Sequence, residues 1–324
     1  MLTSYTDVHV LNVGRGSCTV VESPSGRATM IDINDGGELR AEECEAIKQR
    51  SSLSFLAHAL IAKEVQMLDD PIEWFKTHVG GSMFRFILSH PDMDHMSGIR
   101  HLLSRSSGID VGNFWDHDHT RTRTEDDYAN NEAGWLDWQW YMGFHKQWQW
   151  EGVTWPKRIH PLRGETGNYW TDDSIEILSP TNPLISDCDA ADDYNDASYV
   201  IRVAHGPTSR LLVPGDVESK AWNDMVGAGI SLRANVLIAS HHGRNSGYHE
   251  EALDLIKPEI VIISSDEIPA KEDAIEKYKK RSLVFSTRKH GTLTVRMHDG
   301  GDVEILDRNG FQLEGLTDVV ASSA

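Results

Sequence analysis

Ser89-His90-Pro91-Asp92-Met93-Asp94-His95 places two imidazoles and two carboxylates within a single short loop. It follows the apolar run Phe84-Arg85-Phe86-Ile87-Leu88, which predicts a short buried strand. Ile99, Leu102 and Leu103 just downstream have helical spacing. A strand end followed by a helix start makes a pocket rim, and His and Asp are the ligand types of a hydrolytic metal centre. A polar loop that is merely rich in His and Asp is the plainer reading of the segment alone.

Two other strand ends argue for the sharper reading. Arg210-Leu211-Leu212-Val213-Pro214-Gly215-Asp216 is an apolar strand that delivers one carboxylate at its end. Asn235-Val236-Leu237-Ile238-Ala239-Ser240-His241-His242-Gly243 delivers two imidazoles in the same way. Alone, Asp216 reads equally well as the cap of a helix over 218–225. Three strand ends that all present His or Asp form a constellation.

The 324-residue chain is 39% hydrophobic and 25% charged, which predicts a soluble globular protein with a sizeable core. No apolar run approaches the ~20 residues of a membrane span. The first residues lack the pattern of a signal peptide. Three cysteines, Cys18, Cys44 and Cys188, form neither a disulfide framework nor a CxxC site. These features together predict a cytoplasmic protein with no membrane partner. The formal charge of −19 repels nucleic acid at long range unless metal ions or a local basic patch compensate. The cluster Lys277-Tyr278-Lys279-Lys280-Arg281 reads as a solvated helix end rather than such a patch.

Strands are expected at 7–13, 18–22, 28–33 and 84–88, and a helix at 97–103. Strand and helix signals alternate again from 174 to 306. Two segments interrupt the rhythm. One, near 34–80, has helical spacing at Leu53, Leu56, Leu60 and Ile61. The other, near 115–172, carries eight of the ten tryptophans and predicts a helix over 131–150. It reads as an insertion beside the site, either packing a satellite core or offering rings for a base or sugar to stack on. Hairpin signals at both ends of the chain disfavour one doubly wound sheet. They predict an α/β sandwich of two mixed sheets with helices outside. The expected unit is a single domain over 1–316, followed by a flexible tail at 317–324.

With these pieces in view, the chain resembles the metallo-β-lactamase superfamily. Within it, the chain is similar to the hydrolase domain of ComEC-type DNA-uptake proteins and their stand-alone relatives. The resemblance rests on Leu11-Asn12-Val13-Gly14-Arg15-Gly16-Ser17, Met30-Ile31-Asp32, Leu88 to His95, Asn195-Asp196-Ala197-Ser198, Val213 to Asp216, Ser240 to Gly243 and Lys289-His290-Gly291-Thr292-Leu293. It implies an αββα fold with one or two zinc or manganese ions. His90 and Asp92 then resemble ligands of one metal, and Asp94 and His95 ligands of the second. Asp216 resembles the bridging carboxylate, and His242 or His241, with His242 preferred, completes the second site. Asp32 resembles a buried support for the metal loop. Two departures matter. Asp92 stands where the common pattern has His, and the usual His between the second and fourth motifs is missing, with Asn195 to Ser198 in its place. Asp116, His117 and His119 lie past a strand and offer a replacement ligand; a plain polar loop is the simpler reading.

A metal lowers the pKa of bound water toward about 7, giving a hydroxide nucleophile that Asp94, with His95, would orient or deprotonate. The resemblance therefore implies a metal-dependent hydrolase of phosphodiesters, a nuclease or an enzyme of nucleotides. Its substrate is an anionic phosphoester. Arg15, Asn195, Asp116, His117 and Arg244 are candidates for contact with it. Two other readings stay open: a binding or regulatory module with a partial metal site, and a hydrolase of carboxylic esters, lactones or β-lactams.

Overall fold

Alternating polar and apolar residues put one face of each early strand against a partner sheet, and a computed structural model of the protein shows that partner. It describes residues 5–35, 61–63, 65–129, 131–264 and 272–313, with Lys48 and His58. The expectations at Leu53, Leu56 and Leu60 and for the 317–324 tail lie outside the described residues.

Eight strands form the first sheet: β1 (Tyr5–Val10), β2 (Thr19–Glu22), β3 (Ala28–Ile31), β4 (Ser82–Ile87), β5 (Asp110–Trp115), β6 (Lys157–Ile159), β13 (Leu293–His298) and β14 (Val303–Leu306). Their order is β14-β13-β1-β2-β3-β4-β5-β6. The pairs from β14 to β3 are antiparallel, and those from β3 to β6 are parallel. The second sheet holds β7 (Ile175–Ser179), β8 (Val200–His205), β9 (Ser209–Val213), β10 (Val236–Ile238), β11 (Ile260–Ile263) and β12 (Leu283–Ser286). Its order is β12-β11-β10-β9-β8-β7, parallel from β12 to β9 and antiparallel beyond. Both sheets are mixed, as the sequence predicts.

Val8, Val10, Ile31 and Ile87 of the first sheet meet Ile201, Val203, Leu211 and Ile262 of the second in the central core. Helices cover both outer faces. On the first sheet, Ile72 and Phe75 of α1 (Pro71–His78) and Trp138, Tyr141 and Phe144 of α4 (Glu132–His145) belong to one buried cluster with the strands' outer face. On the second, Trp222 and Met225 of α6 (Ser219–Gly227) pack with Leu253 and Ile256 of α7 (Glu250–Ile256). The result is the expected αββα layering.

Local chemistry accounts for the element boundaries. At α1, Asp70 accepts from the Ile72 and Glu73 amides at 2.8 and 3.1 Å, and Pro71 follows it. The helix expected at 97–103 is present as α3 (Ile99–Leu102), and a further short turn, α2 (Met93–Met96), precedes it. Gly98 lies between them at φ 91°, and the Asp137 carboxylate accepts from the Gly98 and Arg100 amides. A helix absent from the sequence reading, α5 (Asn182–Ala191), starts at a Thr181 cap and buries Leu184, Ile185 and Cys188. The tryptophan-rich segment returns β6 to the edge of the first sheet. Among the described residues, no helix is long and apolar enough to cross a membrane.

The parallel pairs β4–β5 and β9–β10 each place their C-terminal ends at a common sheet edge. Tyr199 N donates to Ser89 O at 3.0 Å, so these edges meet. All three sequence motifs leave their strands there.

Candidate metal centre

Asp32 organises the loop after β4. It is buried at φ 60° just past β3. Its carboxylate accepts from Ser89 N at 2.6 Å, Ser89 Oγ at 2.7 Å and His95 Nδ1 at 2.8 Å. His95 therefore donates from Nδ1, which turns its Nε2 toward the cluster. His242 is set the same way by Nδ1 donating to Ser264 O at 3.0 Å. The Nδ1 of His90 lies 3.1 Å from Ser89 Oγ and 3.2 Å from Ser198 Oγ. In all three rings Nδ1 is engaged, while the buried Nε2 has no hydrogen-bond partner. Buried polar atoms need partners, and three imidazole nitrogens that face carboxylates without a well-formed hydrogen bond suit ligation of a cation.

Asp94, His95, Asp216 and His242 each bring a ligand atom within 4.8 Å of the others. His95 Nε2 stands 3.2 Å from Asp216 Oδ2, and His242 Nε2 stands 3.4 Å from it and 3.5 Å from Asp94 Oδ2. Two carboxylates and two imidazoles fit a divalent cation. Burial alone would lower the pKa of both rings. The carboxylates more than reverse this, raising His242 to about 10 and His95 well above the usual imidazole value. Burial pushes the other way on the acids, yet the same imidazoles hold Asp94 and Asp216 well below the ordinary carboxylate range. The four groups thus hold one another in their charged forms, and a cation that takes the place of the imidazole protons would meet two carboxylates.

Backbone strain sorts the two adjacent histidines. His241 (φ 49°, ψ 49°) and His242 (φ 56°, ψ 23°) are both left-handed, a costly conformation for L residues. It sends His242 into the cluster and leaves His241 at the rim. There His241 Nδ1 lies 2.9 Å from Glu218 Oε1 and 2.8 Å from Ser246 Oγ, with Nε2 3.8 Å from Asp216 Oδ2. At Gly215 (φ 59°) a Cβ would come within 2.9 Å of the Ser198 side chain, so the turn that delivers Asp216 needs glycine. Gly16 presses the Arg15 turn onto this loop in the same way: its Cβ would stand 2.5 Å from Asp94 O.

Other sequence candidates occupy different places. Asp116 is saturated by Arg158 Nε and His145 Nδ1, each at 2.6 Å, and by Tyr141 OH at 3.2 Å. His119 Nε2 bonds Tyr141 OH at 2.7 Å in the same network, so neither residue has its polar group turned to the cluster. His117 is buried beside Tyr194 and Tyr199 with both ring nitrogens bare, and burial lowers its pKa to about 4. Arg244 pairs with Glu272, and Asn195 Nδ2 lies 3.5 Å from Glu218 Oε1. The sequence reading missed three participants. Ser198 sits in the stretch where an imidazole is missing and instead links His90 Nδ1 to Asp216 N, the latter at 3.2 Å. Glu218 holds His241. Arg121 pairs with Asp92. The hints in the sequence were the Asn195-Asp196-Ala197-Ser198 motif for Ser198 and the spacing Asp216-Val217-Glu218 at a strand end for Glu218.

No family model matches the chain. Two curated relatives align with about half of it. "Competence protein ComA" of Neisseria gonorrhoeae is 29% identical over 173 residues, 53% of this chain and 20% of that protein. "Recombination protein 2" of Haemophilus influenzae is 26% identical over 181 residues, 56% of this chain and 17% of that protein. The chain thus spans a fifth or less of the length of these relatives. Among solved structures, "Crystal Structure of a New Diphosphatase from the PhnP Family" is similar at a TM-score of 0.42 and 8% identity, over 90% of this chain and 98% of that one.

Proposed function

We propose that the protein is a metal-dependent hydrolase of phosphodiesters, of the metallo-β-lactamase type and akin to the ComEC hydrolase domain. The observation that carries this reading is the cage of Asp94, His95, Asp216 and His242, with imidazole Nε2 atoms aimed at the carboxylates and the rings oriented from behind. Zinc or manganese suits this donor set. A divalent cation held there supplies Lewis acidity and hydroxide at neutral pH.

The chain's own side chains do the remainder. Asp32, Ser264 and Ser198 fix the three rings, so ligand geometry needs no rearrangement when substrate arrives. The Asp94 side chain, 30% exposed, is the member of the cage that reaches solvent; it orients the attacking water. His241, held at the rim by Glu218 and Ser246, meets a phosphoryl oxygen. A phosphoester is preferred over a carbonyl substrate because the resemblance lies with DNA-uptake proteins and the two aligned relatives are named for competence and recombination. A nucleic-acid strand or a nucleotide is the substrate class this supports.

The test is hydrolysis of bis-p-nitrophenyl phosphate with Mn²⁺ or Zn²⁺ added to chelator-stripped protein. Turnover is expected to return with metal. Asp94→Ala and His95→Ala are expected to abolish it, with the far-ultraviolet circular dichroism unchanged. Metal-loaded protein inert toward phosphodiesters but active on lactones would move the assignment to carbonyl chemistry. Inertness toward both would leave a binding module.

A further inference from the structure

The metal loop carries two more metal-capable side chains, His90 and Asp92, and their surroundings differ from those of the cage. His90 Nε2 stands 3.7 Å from Asp92 Oδ2, as if both faced a second ion. The other Asp92 oxygen is paired with the Arg121 guanidinium. Arg121 also donates to Pro91 O at 2.8 Å and lies over the Tyr194 ring, 4.9 Å from its centroid. Its side chain is only 11% exposed, so packing fixes it there. The stretch from which the resemblance expects a third ligand presents Ser198, whose hydroxyl lies behind His90 rather than in front of it. His117 has bare nitrogens. Among the described residues, however, no set joining it to His90 and Asp92 closes to the spacing of the cage.

We propose that Arg121 stands in place of a second cation. The protein then holds a single ion at Asp94, His95, Asp216 and His242, and the His90–Asp92 half of the centre is closed by a permanent guanidinium charge. The inference rests on the proposed metal centre and narrows it. A guanidinium does not give up its proton, so it cannot withdraw to admit a dication. A second dication bound to Asp92 would face that charge across a few ångströms in a partly buried setting, where repulsion is strong. A guanidinium is also a directional partner for a phosphoryl oxygen, so the positive charge still serves an anionic substrate.

The experiment counts ions. Chelator-stripped protein is titrated with Mn²⁺ by calorimetry, bound metal is counted by mass spectrometry, and Mn²⁺-soaked crystals are measured for anomalous scattering. Wild type is expected to take one ion per chain, with any second ion bound at least ~100-fold more weakly. Arg121→Gln is expected to admit a second ion within ~10-fold of the first, and the double variant Arg121→Gln/His90→Ala to lose it again. Two ions of similar affinity in wild type, or an Arg121→Gln protein that still takes one, overturn the proposal. If that variant fails to fold, the wild-type anomalous map decides: a peak confined to the cage supports the proposal, and one beside His90 with Asp92 or His117 overturns it. A protein that binds no ion overturns the metal centre itself, which separates the two failures.

Discussion

Asp32 shows how much one residue behind the ligands controls. Its two oxygens hold the loop through Ser89 and fix the tautomer of His95. Asp32→Asn keeps the volume but replaces an acceptor with a donor. Calorimetry should show Mn²⁺ affinity falling ~10–100-fold while the protein stays folded. His117 sets a different expectation, for acid stability. Its folded pKa, lowered to about 4, lies below the ordinary imidazole value, so the unfolded chain binds the extra proton. The His117 contribution should therefore be intact above about pH 6.5 and be lost as pH drops from there toward 4, by about 3 kcal/mol in all. His119, also pushed down by burial, works in the same direction. Urea unfolding of metal-free protein at about pH 7 and about pH 4.5 checks this: His117→Gln should lose clearly less than wild type over that interval. Equal losses would mean His117 titrates normally.

At the scale of the element, the helix Glu132–His145 separates two roles that the tryptophan count merges. Trp138 is buried with Tyr141 and Phe144 against the outer face of the first sheet, whereas Trp148, three residues past the helix end, is 50% exposed. Trp138→Ala should cost about 3–5 kcal/mol in thermal or urea unfolding, and Trp148→Ala within about 0.5. Trp148 borders a cavity of about 520 Å³ that Trp135, Trp140 and Trp150 also line, with Arg123 and Lys146. The segment thus both packs a core and leaves aromatic surface uncovered. The helix expected at 97–103 teaches the same lesson. Its apolar spacing was legible, but its start after Gly98 depends on Asp137, nearly forty positions away.

At the scale of the molecule, the charge of −19 and the cage act against each other on an anionic substrate. Long-range repulsion is screened by salt over about 10 Å, whereas the partly buried cage and Arg121 are screened far less. For a nucleic-acid strand, the apparent KM in the Mn²⁺ assay should therefore fall as ionic strength rises toward ~0.15 M, opposite to the behaviour of basic nucleases. A steep rise in KM with salt would show that unrecognised basic surface dominates.

The sequence alone determined the two-sheet sandwich, because period-two apolar patterns and hairpin turns are local properties of the chain. It also marked the loops at 90–95, 216 and 241–242, because each chemical motif follows its own apolar strand. Which side chains meet was decided only in three dimensions. The choice of His242 over His241 depends on two left-handed backbone positions. The pairing of Asp92 with Arg121 joins loops from neighbouring strands. Ser198 does duty behind His90 because the edge of the second sheet abuts the first. Those contacts cross between strands and sheets, and hydrogen-bond direction and charge separation there are set by packing, which no local pattern encodes.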